Sequence, residues 1–419
     1  MVGLFMKIRA VLRLFVCALA FCLGDRAAAD EPQLHSQRKF KVGVIATLTG
    51  SGFTLGRDTV AALQIAEEQI DANAKSQHGG YRFKFFVRDN QHDPAKALAA
   101  IQDLAKRGVQ IIIGPQTSSA VSMIKPYADA HNILVISQGS TASSLSIAGD
   151  NIFRLCPDDR LEADAIVALM KHDGIQHIVP LWRNDAGNNG LHDSVQTKFK
   201  ALGGGYTVES GYQYQPTTTD FSTATSSIAS QIKSLQDGGT QASTIAVYLA
   251  AFDEVVGVFH SAHSNATLSS PRHWYGSDGV ALSAALTGDA TAAAFAASVD
   301  YPNPTFGLPD SLKNEWQPIA NAIEARTGFK PDVFALSTYD ALFVLQRALE
   351  DVGDLKNFAA FKAAFAREAD AYSGITGSLA LNSAGDRANG DFDFWVVRND
   401  SWIRIGTYNS TNGQITIFP

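Results

Sequence analysis

Cysteine is scarce in this chain: three residues in 419, at Cys17, Cys22 and Cys156. The first two sit inside an N-terminal stretch that reads as a removable leader, which leaves Cys156 alone in the mature chain. One cysteine cannot close an internal disulfide, so the fold must rest on its cores, and a buried, inert thiol is expected for Cys156. No C-x-x-C, H-E-x-x-H, G-x-S-x-G or P-loop motif occurs, which removes the usual redox, metalloprotease, hydrolase and nucleotide signatures. Charge is also sparse, at 18% of residues with a net value of −7. Residues 1–29 carry Lys7, Arg9, Arg13 and Arg26 against Asp25, so their removal takes the net charge to −10. An acidic chain is a poor partner for nucleic acid or for an anionic membrane surface. Long hydrophobic runs are missing too: the apolar segment Leu14–Leu23 is shorter than the roughly 20 residues that span a bilayer.

That segment follows Lys7, Arg9 and Arg13 and precedes Ala27-Ala28-Ala29. Basic flank, short apolar stretch and small residues spell an export signal, with cleavage expected after Ala29 and a periplasmic destination. A length of 419 residues with 46% hydrophobic content then calls for two domains. From Lys39, Val/Ile-rich runs alternate with segments of helical period. The runs are "FKVGVIAT", "YRFKFFVRD", "VQIII", "ILVIS", "IQHIVPLW", "YTVESGYQY" and "STIAVYL". One intervening helix opens at Pro94 and closes at Gly108. Strict alternation predicts parallel sheets covered on both faces, hence an α/β fold. The rhythm breaks near "IFRLCPDDR" and again at "YPNPTFGLPD"; three helical segments then run to about Tyr372, before the antiparallel-looking "FDFWVVRND" and "SWIRIGTY".

Ligands of open parallel sheets bind beyond the carboxyl ends of strands. "IIIGPQTSSA", from Ile111, and "LVISQGSTASS", from Leu134, both place glycine and hydroxyls there, just ahead of a helix. Unpaired N–H groups and hydroxyls in such turns could hold a carboxylate. Equally, Ser118, Ser119, Thr141 and Ser143 could simply cap their own helices. "TLTGSGFTLGRD" resembles a dinucleotide fingerprint only in Gly50 and Gly52; Leu55 stands where the third glycine belongs, so nicotinamide is not expected. In "HWYGSDGVAL", Asp278 is either a turn former or a carboxylate facing a ligand's ammonium group. His260 and His263 lie three apart but lack a third ligand nearby and read as surface residues. No catalytic set, metal or cofactor is expected.

In order, "KVGVIATLTGSG", "GRDTVAALQIAEEQIDA", "VRDNQHDPAKALAAIQDLAKRGVQIIIGPQTSS", "ILVISQGST", "NIFRLCPDD", "DFSTATSSIASQIK", "WYGSDGV" and "STYDAL" cover about Phe40 to Tyr408. In sequence and spacing they resemble the type I periplasmic binding proteins, specifically the leucine/isoleucine/valine-binding branch of ABC-importer substrate-binding proteins. The resemblance implies two Rossmann-like lobes, 39–156 with 303–373 and 157–302 with 374–419, joined by a three-crossing hinge near Leu155, Tyr301 and Ser373. It implies that Ser118 and Thr141 hold an amino acid's carboxylate, that the Gly139 carbonyl and Thr141 meet its ammonium, and that Asp278 pairs with that ammonium. Gln116 belongs to the same turn, while Leu55 and Ala186 stand where relatives often carry aromatic walls. His92 and Thr117 occupy the places of a disulfide common among relatives. The implied function is delivery of a branched-chain or other apolar amino acid to a membrane permease and ATPase complex by a monomeric carrier; the alternative is a ligand-sensing receptor for an amide, urea or aromatic acid.

Overall fold

Strands that are apolar on both sides must be covered on both sides, and in the computed structural model they are. It describes residues 38–76, 81–270 and 273–419, so the export signal and its cleavage point lie outside the described residues. Strands β1 (Arg38–Ala46), β2 (Tyr81–Asp89), β3 (Ile111–Ile113), β4 (Leu134–Ser137) and β5 (Ile152–Arg154) form a parallel sheet in the order β2-β1-β3-β4-β5. Helices α1 (Phe53–Ser76), α2 (Pro94–Lys106) and α3 (Ser118–Ala130) connect them. Successive side chains point to opposite faces. Accordingly Ile45, Ile112 and Val135 pack with Ile101 and Leu104 of α2 and Ile124 of α3, whereas Val44, Ile111 and Leu134 join α1 in the other core.

The second lobe begins at α4 (Asp159–His172). Strands β6 (His177–Arg183), β7 (Thr207–Val208), β8 (Tyr212–Tyr214), β9 (Ile245–Ala250) and β10 (His273–Tyr275) make a second parallel sheet, ordered β10-β9-β6-β7 with β8 also on β6. Around it lie α5 (Ala186–Ala201), α6 (Ser222–Asp237), α7 (Val255–Ala262), α8 (Ala284–Thr287) and α9 (Ala290–Ser298). The chain then runs through β11 (Asn303–Phe306) to α10 (Lys313–Thr327), α11 (Val333–Val352) and α12 (Phe358–Ala371), whose Ile323, Leu342, Leu345 and Phe365 complete the first lobe's core. A short hairpin, β12 (Ser373–Gly374) with β13 (Gly377–Ser378), leads to the antiparallel strands β14 (Phe392–Arg398), β15 (Ser401–Asn409) and β16 (Gln414–Ile417).

Two backbone pairings bear on the expected boundaries. β11 pairs antiparallel with β14, so residues 303–306 join the C-terminal strands rather than the first lobe. Conversely, Arg154 N–H donates to Gly385 O at 3.0 Å and Arg387 N–H to Arg154 O at 2.8 Å, which lays 385–387 along β5, beyond the expected switch at 374. Backbone groups at a sheet edge need partners, and each segment takes the edge it reaches. Among the described residues no helix is long and apolar enough to cross a membrane.

Candidate functional site

The carboxyl ends of β3 and β4 lie side by side, and their hydroxyls do not serve as local caps. Thr117 precedes α3 without a side-chain cap bond. The Ser118 hydroxyl instead accepts from Ala142 N–H at 3.1 Å and from the Ser140 hydroxyl at 3.2 Å, stitching the first turn to the second. Ser137 Oγ donates to Pro115 O at 2.7 Å. Ser143 opens a short 3-10 turn and makes no side-chain cap. Beneath the second turn lies Arg154, wholly buried: it grips Asp386 in a bidentate pair at 2.5 and 2.7 Å and donates to Ser140 O and Ala142 O at 3.1 and 2.7 Å. The turn is thus held from below by a planar, permanently charged fork.

Helix α4 starts beside this turn, its Asp159 N–H bonded to Thr141 O at 2.8 Å. Asp158 supplies the N-cap, accepting from Arg160 N–H at 3.0 Å. Asp159 is therefore not needed as the cap. It is buried, and neither carboxylate oxygen has a partner that satisfies hydrogen-bond geometry. Burial and then the charge of Asp278 push its carboxyl up to about 8, opposed by the neighbouring Thr141 hydroxyl and Arg154. A Cβ on Gly190 of α5 would lie 2.7 Å from Asp159 Oδ2, so glycine there keeps the space in front of this carboxylate open. Asp278 follows β10, with its N–H donating to Glu162 Oε1 at 3.0 Å and its carboxyl raised by burial to about 7.

These groups meet in a cavity of about 130 Å3. Leu55, Gln116, Ser118, Gly139, Thr141 and Asp278, all named from the sequence, line it. Ala186 does not: its N–H is bonded to Ser119 Oγ at 3.2 Å, and its neighbours Asp185 and Gly187 face the cavity instead. The sequence reading missed Asp159, Arg183, Asp185, His92 and Phe252, which also line it. Two consecutive aspartates before a helix were the available signal for Asp159, since one cap requires only one. Arg183 is neutralised in place by Asp185 at 2.7 Å and Glu254 at 3.4 Å. His92 bonds Ser51 O at 3.0 Å and meets the Phe252 ring edge-on, with centroids 4.8 Å apart. Burial drives the Cys156 thiol upward, away from reactivity. His260 is exposed and pairs with Asp289 at 2.9 Å, and among the described residues no group of three His, Cys, Asp or Glu is arranged to hold a metal ion.

The chain is 26% identical over 415 residues to an uncharacterized protein of Methanocaldococcus jannaschii, covering 95% of this chain and 96% of that one. In structure it is similar to a leucine-binding protein from Thermotoga maritima, with TM-score 0.70 and 19% identity over 88% of this chain and 99% of the other. An ABC-transporter solute-binding protein of R. palustris in complex with benzoate is also similar, with TM-score 0.68 and 20% identity over 88% and 96%. Both share the two-lobed architecture. The model of the receptor family ligand binding region matches residues 59–400, and the chain belongs to that family.

Proposed function

We propose that this protein is an extracytoplasmic solute-binding protein of an ABC importer, binding an apolar amino acid between its lobes and handing it to a permease and ATPase complex. One observation carries the reading: hydrogen-bond donors and carboxylates line the same small cavity, Ser118, Thr141 and the first turn of α3 among the donors and Asp159 and Asp278 among the acids. That is the polarity of a zwitterion, carboxylate toward the donors and ammonium toward the acids. Leu55, Leu191, Phe252 and Phe334 supply apolar lining for the side chain. The similarity to a leucine-binding protein supports the amino-acid frame. We further propose three crossings between lobes, at about 155–158, 307–312 and 372–391, in keeping with the strand pairings.

The benzoate complex of a similar protein motivates a second reading, an aromatic acid held by the same donors. Calorimetric titration with L-leucine, L-isoleucine, L-valine and benzoate separates the two. Under the amino-acid reading, Asp278→Ala lowers affinity roughly tenfold to a hundredfold, the equivalent of one charge-assisted bond worth about 1.5–3 kcal/mol. Unchanged affinity in that variant, or binding of benzoate alone, rejects it.

A further inference from the structure

Glu162 is a third carboxyl group at this site, and the zwitterion reading gives it no task. It stands three residues after Asp159 on α4, so both project from one helix face. It is buried, and the N–H of Asp278 donates to its Oε1 at 3.0 Å. Asp159 and Asp278 open onto the cavity, and Glu162 stands behind them. Its second oxygen, Oε2, is sealed from solvent and has no donor.

The surroundings offer no cation to offset this charge. From α4 itself come Asp158 and Asp159; from the loop after β10, Asp278; from β9, the Tyr248 hydroxyl; from the start of α11, Asp332, which repels Asp278. Cys156 and Tyr301 are buried and uncharged. Arg154 is the basic group of the cluster, and its fork is already committed to Asp386 and two carbonyls. Three carboxylates cannot share such a volume fully ionised.

We infer that Glu162 is a positioning residue that keeps its proton in the folded protein and donates it to the carboxylate of Asp278, fixing Asp278 toward the ligand. The assignment of the proton follows from burial, from the crowding of carboxyl groups and from the unpartnered Oε2. Asp278 is stabilised as an anion by the Gly279 N–H and by the Glu162 side chain. Glu162 is pushed well above its ordinary value by burial first, then by the charges of Asp278 and Asp159. As an acid, Oε2 gains a hydrogen to give; as a carboxylate, it is an unpaired buried charge. The consequence for ligands rests on the proposed role of Asp278, but the proton on Glu162 does not, and it is tested without ligand.

Carbon-13 NMR of the ligand-free protein labelled at the glutamate carboxyl carbon reads this directly. At about pH 7.5, above the ordinary glutamate range and above the value of about 7 at which Asp278 ionises, one glutamate resonance remains at the protonated position and disappears in Glu162→Gln. In Asp278→Asn, where the anion is gone, the same resonance titrates at lower pH. Chemical denaturation supplies a second readout: Glu162→Gln, which retains an N–H donor, removes part of the wild-type loss of stability as pH rises above the ordinary glutamate range, and Glu162→Ala is not rescued in this way. A Glu162 resonance already ionised at about pH 7.5, or one indifferent to Asp278→Asn, overturns the inference. Failure of L-leucine to bind the wild type would count against the proposed ligand and leave this result standing.

Discussion

At the scale of single residues, Asp159 sets stability against binding. A carboxyl group buried without partners favours its neutral form, so its folded value of about 8 exceeds the ordinary 3.8. The folded state then holds a proton that the unfolded chain releases. Its stabilising contribution is whole below the unfolded value and is lost as pH rises through about 8. Asparagine imitates the neutral form. Asp159→Asn is therefore expected to stabilise the ligand-free protein by on the order of 1–3 kcal/mol near neutral to mildly alkaline pH, read as a higher denaturation midpoint. The same variant should bind an amino acid at least tenfold more weakly, because an amide oxygen cannot pair with an ammonium as a carboxylate does. In the wild type, affinity should climb as pH rises through about 7 and about 8, where Asp278 and Asp159 lose their protons, with protons released on binding. Calorimetry in two buffers of different ionisation enthalpy counts them; no release, or a flat profile, contradicts the assignment. Six of the seven site residues named from the sequence line the cavity; strand-end turns pointed to Ser118, Thr141 and Asp278, and the family resemblance to Leu55, Gln116 and Gly139. Asp159 was hidden in a capping pair, and its orphaned oxygens are visible only once α5 packs in front of it.

Among elements, parallel strands were readable because burial on both faces leaves an unbroken apolar run: Ile245–Ala250 is apolar and buried throughout and forms one strand. "YTVESGYQY" instead divides into β7 and β8. Gly211 lies between them at φ +63°, pressed so close to Pro180 that a Cβ would sit 2.1 Å from its carbonyl oxygen, and the strand bends there. Composition gave no hint of that contact, which depends on β6. The brace under the second binding turn was equally illegible, since Arg154 and Asp386 are 232 positions apart. Removing one partner of a buried pair strands the other, at a cost of roughly 3–5 kcal/mol. Arg154→Met is expected to destabilise by about that much, and the double variant with Asp386→Leu to recover most of it in denaturation measurements. Ligand affinity should stay low in the double variant, because the carbonyls of Ser140 and Ala142 would still have lost their donor. Full recovery of both properties would assign Arg154 to folding alone.

For the whole molecule, chain length and the family resemblance foresaw two lobes, but not how they touch. Their contacts across the cleft come from loops and helix starts: Gly52 N–H donates to Asp253 Oδ2 at 2.7 Å, His92 packs on Phe252, and Ala186 N–H donates to Ser119 Oγ. No periodicity governs such loops, so sequence pattern is silent about them. Asp253 is the best placed to act as a latch, because Ser283 holds its other oxygen at 2.7 Å and so fixes its aim. A ligand shifts a two-lobed protein only by binding its closed form better than its open one. Weakening a contact made only on closure therefore lowers apparent affinity without altering the cavity. Asp253→Ala removes one charge-assisted bond and should weaken binding of an amino acid by roughly tenfold, chiefly through faster release. Small-angle scattering of the ligand-free variant should show a larger radius of gyration than wild type, with saturating ligand restoring the compact value. Equal radii together with unchanged release would mean that the Gly52–Asp253 bond does not hold the lobes shut.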